Sequence, residues 1–207
     1  MARKSSSRRW LNRQAGDPYV QKARAEGWRS RAVFKLEEIH GRDHLLRPGM
    51  TVVDLGAAPG GWSQFAASIV GDSGRVIALD LLPMDPLAGV ECIRGDFHDE
   101  NLLNAVVALV GERKTDLVLS DMAPNISGVR SVDQPRAMAL AELALDVATR
   151  VLKPGGSFVC KLFHGEGFDE FVRVVRRHFK TVTVRKPSSS RPGSRETYLV
   201  ARTYRMV

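Results

Sequence analysis

The chain is best understood from one stretch, Thr51-Val-Val-Asp-Leu-Gly-Ala-Ala-Pro-Gly-Gly-Trp62. Its β-branched apolar run reaches Asp54 and then a glycine-rich turn, which is typical of a buried parallel strand that presents its carboxyl end to a ligand. Gly56, Gly60 and Gly61 allow the backbone to turn sharply and to come close to a bound molecule. From Trp62 onward the sequence has the pattern of a helix that packs back on the sheet. The stretch therefore predicts a strand, a ligand-binding loop and a helix in succession.

The spacing of the glycines indicates the kind of ligand. A dinucleotide fingerprint needs G-x-G-x-x-G, which places the pyrophosphate at a helix N-terminus, whereas here three residues separate Gly56 from Gly60. An acidic strand end before a wide glycine loop suits a ligand that has a cation and no phosphate. S-adenosylmethionine fits, since it carries an α-amino group, a carboxylate and a sulfonium. A glycine turn without any ligand is the alternative, and a nicotinamide oxidoreductase is disfavoured because the fingerprint is absent.

The positive charge of the chain is concentrated near its start. The 207 residues have a formal net charge of +8, from 31 Lys or Arg and 23 Asp or Glu. Residues 1–35 hold ten of the basic residues and two acidic ones, which leaves 21 of each sign for the rest. Such a surplus favours an anionic partner. We expect residues 1–18 to be a flexible basic tail that contacts phosphates, and an organellar targeting segment is the other interpretation.

Residues 19–207 are expected to form a single domain, because single domains commonly reach about 200 residues. No apolar run approaches the roughly 20 residues needed to cross a bilayer. Cys92 and Cys160 are isolated in strand-like runs, without a metal-binding spacing. We interpret both as small buried hydrophobes in a reducing compartment. The expectation is a soluble cytoplasmic monomer that has no metal site and binds no membrane.

Strand and helix patterns alternate after the opening strand, which indicates an α/β fold built from right-handed βαβ units. The predicted sheet has seven strands, is mostly parallel and carries helices on both faces. After the opening strand from Thr51, the predicted strands cover residues 75–80, 91–96, 116–121, 157–163, 181–185 and 196–202. The predicted helices cover residues 19–26, 31–39, 102–110, 133–152 and 168–178, with Ser30 as the N-cap of the second.

Four successive predicted strands end in a carboxylate, at Asp54, Asp80, Asp96 and Asp121. A ligand of an open parallel sheet binds outside the carboxyl ends of the strands, so we expect the four side chains in one crevice. Asp80 is placed to accept hydrogen bonds from two ribose hydroxyls, and Asp96 then lies near the adenine amino group. Trp62 either covers the ligand or belongs to the core.

Lysine occurs at position 161 inside an otherwise apolar strand pattern. Burial of an ammonium group is costly, so we interpret Lys161 as a functional residue rather than one that only extends to solvent. Glu196 begins the final predicted strand, and Lys35 lies on the second predicted helix. All three are candidate site residues.

Four further motifs accompany the glycine loop: Ser30-Arg-Ala-Val-Phe-Lys-Leu36, Ser120-Asp-Met-Ala-Pro-Asn125, Lys161-Leu-Phe163 and Ser194-Arg-Glu-Thr-Tyr198. In this order and combination they resemble the FtsJ-type RNA 2′-O-methyltransferases, over residues 19–202. The resemblance implies a Rossmann-like S-adenosylmethionine-dependent methyltransferase fold. It also implies that the catalytic set consists of Lys35, Asp121, Lys161 and Glu196. The candidate cofactor-binding residues are Asp54, Gly56, Gly60, Gly61, Trp62, Asp80, Asp96 and Asp121.

The resemblance is greatest to the members of the family that modify a uridine of 23S rRNA. It implies ribosomal RNA or the large ribosomal subunit as the partner, with tRNA or an mRNA cap as alternatives. A non-catalytic RNA-binding assembly factor is a further alternative, against which the complete catalytic set argues. The sequence leaves open whether Lys161 acts as a neutral base toward the ribose hydroxyl or as a cation that orients it.

Overall fold

The structure is a computed structural model that describes residues 16–111, 114–191 and 193–206. Most of the predicted basic tail, residues 1–15, lies outside the described residues. The strands are β1 (Thr51–Leu55), β2 (Arg75–Asp80), β3 (Val90–Arg94), β4 (Thr115–Ser120), β5 (Leu152–Phe163), β6 (Phe179–Arg185) and β7 (Glu196–Tyr204). The helices are α1 (Pro18–Ala25), α2 (Val33–Asp43), α3 (Gly61–Val70), α4 (Glu100–Val110), α5 (Arg130–Val151) and α6 (Phe168–His178).

All seven strands form one sheet in the order β3-β2-β1-β4-β5-β7-β6. The pairings among β1 to β5 are parallel, whereas β7 is antiparallel to both β5 and β6. Helices provide most of the crossover connections that parallel neighbours need. β7 can run antiparallel to β6 because a loop joins the two strands directly. The predicted seven-stranded, mostly parallel α/β sheet is therefore confirmed.

Side-chain alternation along β1 divides the core between the two faces of the sheet. Val53 and Leu55 belong to a cluster that includes residues of α4, α5 and α6, whereas Val52 belongs to a cluster with residues of α2 and α3. Helices thus cover both faces, as predicted. No helix in the described part of the chain is long and apolar enough to span a membrane.

Several local predictions were wrong, each for a reason that the tertiary structure supplies. Ser30 does not cap α2, which begins at Val33 after Ala32 without a side-chain cap. β5 starts at Leu152 instead of residue 157, because Leu152 already pairs with Thr115 of β4, before an irregularity in the register that precedes the pair of Leu117 and Ser157. Cys92 is exposed, since β3 is an edge strand. Cys160 is buried as expected, and burial raises the pKa of its thiol to about 12.

The last residue of α2 anchors this helix to the antiparallel edge of the sheet. The carboxylate of Asp43 is almost fully buried and accepts hydrogen bonds from Arg185 Nε at 2.8 Å and Nη2 at 2.7 Å. These hydrogen bonds lower the pKa of Asp43, even though its burial acts in the opposite direction. Arg202 donates to the backbone carbonyl of Asp43 at 2.8 Å. The position of α2, which carries Lys35, therefore depends on strands β6 and β7.

We expect Asp43→Ala to lower the free energy of unfolding by about 2–3 kcal/mol, because hydrogen bonds to a charged group are lost and Arg185 loses its partner. Arg173→Ala is the control, since Arg173 forms an exposed ion pair with Glu170 within α6 and should change stability by less than about 0.5 kcal/mol. Urea denaturation of the two variants measures the difference. Equal effects would contradict the anchoring role of Asp43.

Candidate active site

The loop between β1 and α3 has a conformation that only glycine tolerates well. Gly56 has a φ of 72°, and a Cβ atom built on it would lie 2.5 Å from Met122 Cγ. Gly60 has a φ of 108° and precedes α3, and a Cβ atom on Gly61 would lie 2.4 Å from Ser30 Oγ. The loop is thus packed closely against the segment after β4 and the segment before α2.

Asp54 is not at the end of β1 but inside it, and its side chain is fully buried. Its Oδ2 atom accepts a hydrogen bond from Ser63 Oγ at 2.6 Å, whereas Oδ1 has no partner among the described residues. Burial raises the pKa of Asp54 to about 7, with a further contribution from the negative charges of Asp121 and Asp80. The crevice therefore has a carboxyl group beneath it that is easily protonated.

Asp80 and Asp96 occupy different environments. Asp80 is the last residue of β2, and its two carboxylate oxygens accept hydrogen bonds from the backbone of Ala58 at 2.9 Å and of Leu82 at 2.7 Å. Each oxygen retains a lone pair for a ligand hydroxyl. Asp96 is exposed two residues beyond β3, where Oδ1 accepts a hydrogen bond from the backbone N–H of His98 at 3.0 Å. Asp80 thus links the glycine loop to the loop after β2.

The indole of Trp62 belongs to the core. It is 3% exposed, donates from Nε1 to the carbonyl of Ala32 at 2.7 Å, and packs against the ring of Tyr198. Of the two interpretations that the sequence left open, this placement favours the core. The indole fastens the start of α3 to the segment before α2.

Two ion pairs lie at the edge of the sheet where β4 and β5 end. Lys161 Nζ contacts Asp121 Oδ1 at 2.7 Å, and Lys35 Nζ contacts Glu196 Oε1 at 2.9 Å. Their side chains are between 8% and 17% exposed. We call these four residues the charged tetrad. The structure therefore brings together the four side chains that the resemblance assigned to the catalytic set.

Tyr198 links the two ion pairs, a role that was not predicted from the sequence. Its hydroxyl donates to Asp121 Oδ1 at 2.6 Å, and Lys35 Nζ lies 5.5 Å from the centre of its ring. Burial raises the pKa of Tyr198 well above its usual value, so the hydroxyl remains a donor. The position two residues after Glu196, on the same face of β7, was the sequence signal that pointed to it.

Charge balance keeps both carboxylates of the tetrad ionised. Burial alone would raise the pKa values of Asp121 and Glu196, but Lys35 and Lys161 attract both groups and outweigh it, so both pKa values are lowered. Lys161 Nζ also donates to the backbone carbonyl of Asp121 at 2.8 Å. Two of its N–H groups are thus directed to Asp121, and a third remains for a substrate oxygen.

Arg29 joins the two loops that border the crevice. Its guanidinium donates to the carbonyl of Pro59 at 3.3 Å in the glycine loop, and to those of Asp85 at 2.7 Å and Pro86 at 2.6 Å in the loop after β2. Its backbone N–H donates to Gln64 Oε1 of α3 at 3.0 Å. Because Arg29 directly precedes the α2 region, it couples the ligand loops to the helix that carries Lys35.

These features fit S-adenosylmethionine. The partnerless Oδ1 atom of Asp54 can accept from a donor, the closely packed glycine loop offers backbone rather than side chains, and the Asp80 carboxylate has acceptor capacity left. Asp121 would contribute negative charge beside the cation. Among the described residues, no group of three or more His, Cys, Asp or Glu is arranged to hold a metal ion.

Comparisons with known proteins identify the family and the fold. The sequence model of the FtsJ-like methyltransferases, which use S-adenosylmethionine, matches residues 28–204. A protein from Plasmodium falciparum provisionally described as a ribosomal RNA methyltransferase has a similar structure, with a TM-score of 0.75 and 24% identity over 86% of this chain and 98% of that one. A protein from Clostridium thermocellum provisionally described as an rRNA methylase has a TM-score of 0.54 and 19% identity, over 81% of this chain and 96% of that one. A protein from Lactococcus lactis provisionally described as a hemolysin has a TM-score of 0.63 and 16% identity, over 86% of this chain and 89% of that one.

The raised pKa of Asp54 predicts a specific pH dependence of stability. A carboxyl whose folded pKa is raised to about 7 stabilises the fold below its unfolded pKa of about 4, and this contribution is lost as the pH rises through 7. Between pH 5 and pH 8, we expect the wild type to lose roughly 2–3 kcal/mol of unfolding free energy relative to Asp54→Asn. Urea denaturation at both pH values measures it, and parallel changes in the two proteins would contradict the prediction.

Arg29→Met should weaken S-adenosylmethionine binding about tenfold or more, because the two loops are no longer held together, and tenfold corresponds to about 1.4 kcal/mol. Isothermal titration calorimetry measures the affinity. Arg24→Met is the matched control, since Arg24 is exposed on α1. Equal affinities of the two variants would show that the Arg29 contacts do not support the cofactor loops.

Proposed function

The chain belongs to the FtsJ-like methyltransferase family, and on that premise we propose that it methylates the ribose 2′-hydroxyl of a uridine in large-subunit 23S rRNA, within the assembled 50S subunit. The observation that carries the proposal is the charged tetrad at the carboxyl edge of the sheet, beside the glycine loop. A ribose hydroxyl is a poor nucleophile, and a group that accepts its proton or stabilises its developing charge is what the reaction needs.

The cofactor supplies an electrophilic methyl group when it is bound. We propose that the glycine loop holds the methionine part, and that Asp80 and Asp96 hold the ribose and the adenine. In the transfer, the bond from the 2′-oxygen to the methyl carbon forms and the bond from sulfur to that carbon breaks, with its electron pair left on sulfur. The hydroxyl proton passes to Lys161 if its amine is neutral, or to solvent if Lys161 acts as a cation. The tetrad acts only on the hydroxyl and its proton.

Lys161 is the member of the tetrad that we assign to the 2′-oxygen. Two contacts to Asp121 fix its ammonium group, at 2.7 Å and 2.8 Å, and Tyr198 in turn fixes Asp121. Lys35 and Glu196 form the second pair and keep the surroundings of Lys161 electrically balanced. Preorganised groups of this kind lower the reaction barrier because they need not reorient during the transfer.

The distribution of charge supports an RNA partner. The surplus of positive charge lies in residues 1–35, which lead directly to Lys35 of the tetrad, and Arg191 and Arg195 precede Glu196. We propose that the basic segment of residues 1–18 contacts RNA phosphates, an interaction that carries no sequence information. Selection of the target then comes from the shape of the RNA or of the subunit.

Lys161→Met should lower the rate of methyl transfer about 100-fold or more, which is the usual contribution of a positioned acid or base, and should leave S-adenosylmethionine affinity within a few-fold of wild type. Lys180→Met is the matched control, because Lys180 is exposed on β6. Transfer of labelled methyl groups from S-adenosylmethionine to large ribosomal subunits measures the rate. Equal activity of the two variants would remove Lys161 from the reaction.

The same assay tests the substrate. We expect labelling of assembled large subunits, at the 2′-oxygen of one uridine of 23S rRNA, and little labelling of free rRNA or tRNA. Preferred labelling of tRNA would contradict the ribosomal assignment.

The pH dependence of the methyl-transfer rate of the wild type tests the role of Lys161. A rate that rises with pH would support Lys161 as a neutral base, whereas a rate that is flat across neutral pH would support it as a cation.

A further inference from the structure

A cavity of about 230 Å³ opens between the start of α5, the end of β5 and the residues just before Glu196. Ile126, Ala137 and Phe163 provide apolar walls, and Gln134 and Arg195 provide polar groups. Typical ligand pockets measure about 300–1,000 Å³, so this cavity suits a small planar group rather than a whole cofactor. No residue of the cavity wall has a role in the proposed methyl transfer.

The cavity is directly connected to the tetrad through the sheet. Phe163, in its wall, is the register partner of Glu196 where β5 pairs with β7. Arg195 directly precedes Glu196, and its Nη1 atom donates to the carbonyl of His164 at 3.1 Å, which holds the arginine against the end of β5. The cavity wall therefore lies next to Glu196 of the tetrad.

The loop that carries Ile126 is anchored to the start of α5. Asp133, at the start of α5, accepts hydrogen bonds from the backbone N–H groups of Ser127 and Gly128, both at 2.9 Å. Ile126 lies in the cavity wall and is 63% exposed. An apolar side chain this exposed at the rim of a cavity is accessible to a ligand that enters the cavity.

Gln134 leaves an acceptor without a partner in this region. Its Nε2 atom donates to the carbonyls of Phe163 at 3.1 Å and Glu166 at 2.9 Å, which fixes the orientation of the amide. The side chain is 7% exposed, and its Oε1 atom accepts no hydrogen bond from the described part of the chain. A buried acceptor without a partner is unfavourable, and a ligand that brings an N–H donor would relieve this.

We propose that this cavity holds a nucleobase of the RNA strand whose ribose lies at Lys161. The inference rests on the proposed function and deepens it. Unstacked bases bind between apolar, aromatic or guanidinium surfaces and form hydrogen bonds along their edges, and the cavity offers Ile126 and Phe163 as surfaces and Arg195 as a guanidinium. Binding of a base here fixes the nucleotide beside the tetrad, in addition to the contacts that phosphates make.

The test compares two fluorescein-labelled probes by fluorescence anisotropy, oligouridylate and an abasic ribose-phosphate oligomer of equal length and charge. Ile126→Ala, which removes a wall, and Ala137→Leu, which fills the cavity, should each weaken oligouridylate binding about tenfold and leave the abasic probe unaffected. Val129→Ala is the matched control, because Val129 lies on the same loop but not in the cavity wall, and it should change neither affinity.

Thermal unfolding and S-adenosylmethionine affinity verify that each variant is folded. Equal losses for both probes, no loss for either, or no binding of oligouridylate by the wild type would overturn the inference. The measurement does not require methyl transfer, so it is separate from the test of Lys161. Base-dependent binding without methylation of ribosomal subunits would refute the proposed function alone, whereas methylation without base-dependent binding would refute only the cavity assignment.

Discussion

The carboxylate of Asp121 is the group on which the arrangement of the site depends. It lies beyond the end of β4, pairs with Lys161 of β5 at 2.7 Å and accepts from Tyr198 of β7 at 2.6 Å. Tyr198 places its ring beneath Lys35 of α2, and Lys35 closes the set with Glu196. One carboxylate therefore connects three adjacent strands and one helix. Because the interactions converge on one group, the position of each charge is fixed by the others.

Such a cluster of buried ion pairs contributes little net stability to a fold. Removing two ion pairs from water costs free energy that their attraction only partly returns, and packed apolar residues of similar volume would often be as stable. Here the same ion pairs place preorganised charge next to a glycine loop. Preorganised charge is what a reaction at a hydroxyl requires. The Arg29 contacts hold the α2 region to the glycine loop and to the loop after β2, and the Trp62 indole holds it to the start of α3. The tetrad and these loops therefore form one connected unit.

Prediction from the sequence succeeded where the pattern is local. The bounds of β2 and α6 agree with their hydrophobic periodicity, and the glycine loop has the positive φ angles that its composition required. The carboxylates were less predictable. Asp54 was expected at a strand end but is buried within β1, because the strand continues by one residue to Leu55 and turns the side chain toward Ser63. Residue spacing does not reveal how far a strand runs before the turn.

The sequence by itself determined the class of fold, the glycine loop and, through its motifs, the family and the four members of the tetrad. Only the tertiary structure decided that Tyr198 joins the two ion pairs, that Trp62 lies in the core, and that Arg29 contacts two loops that are 30 or more residues away from it in the chain. The physical reason is that periodicity and composition report on neighbours along the chain. Contacts between side chains from different strands and helices depend on the register and packing that appear only when the sheet is assembled.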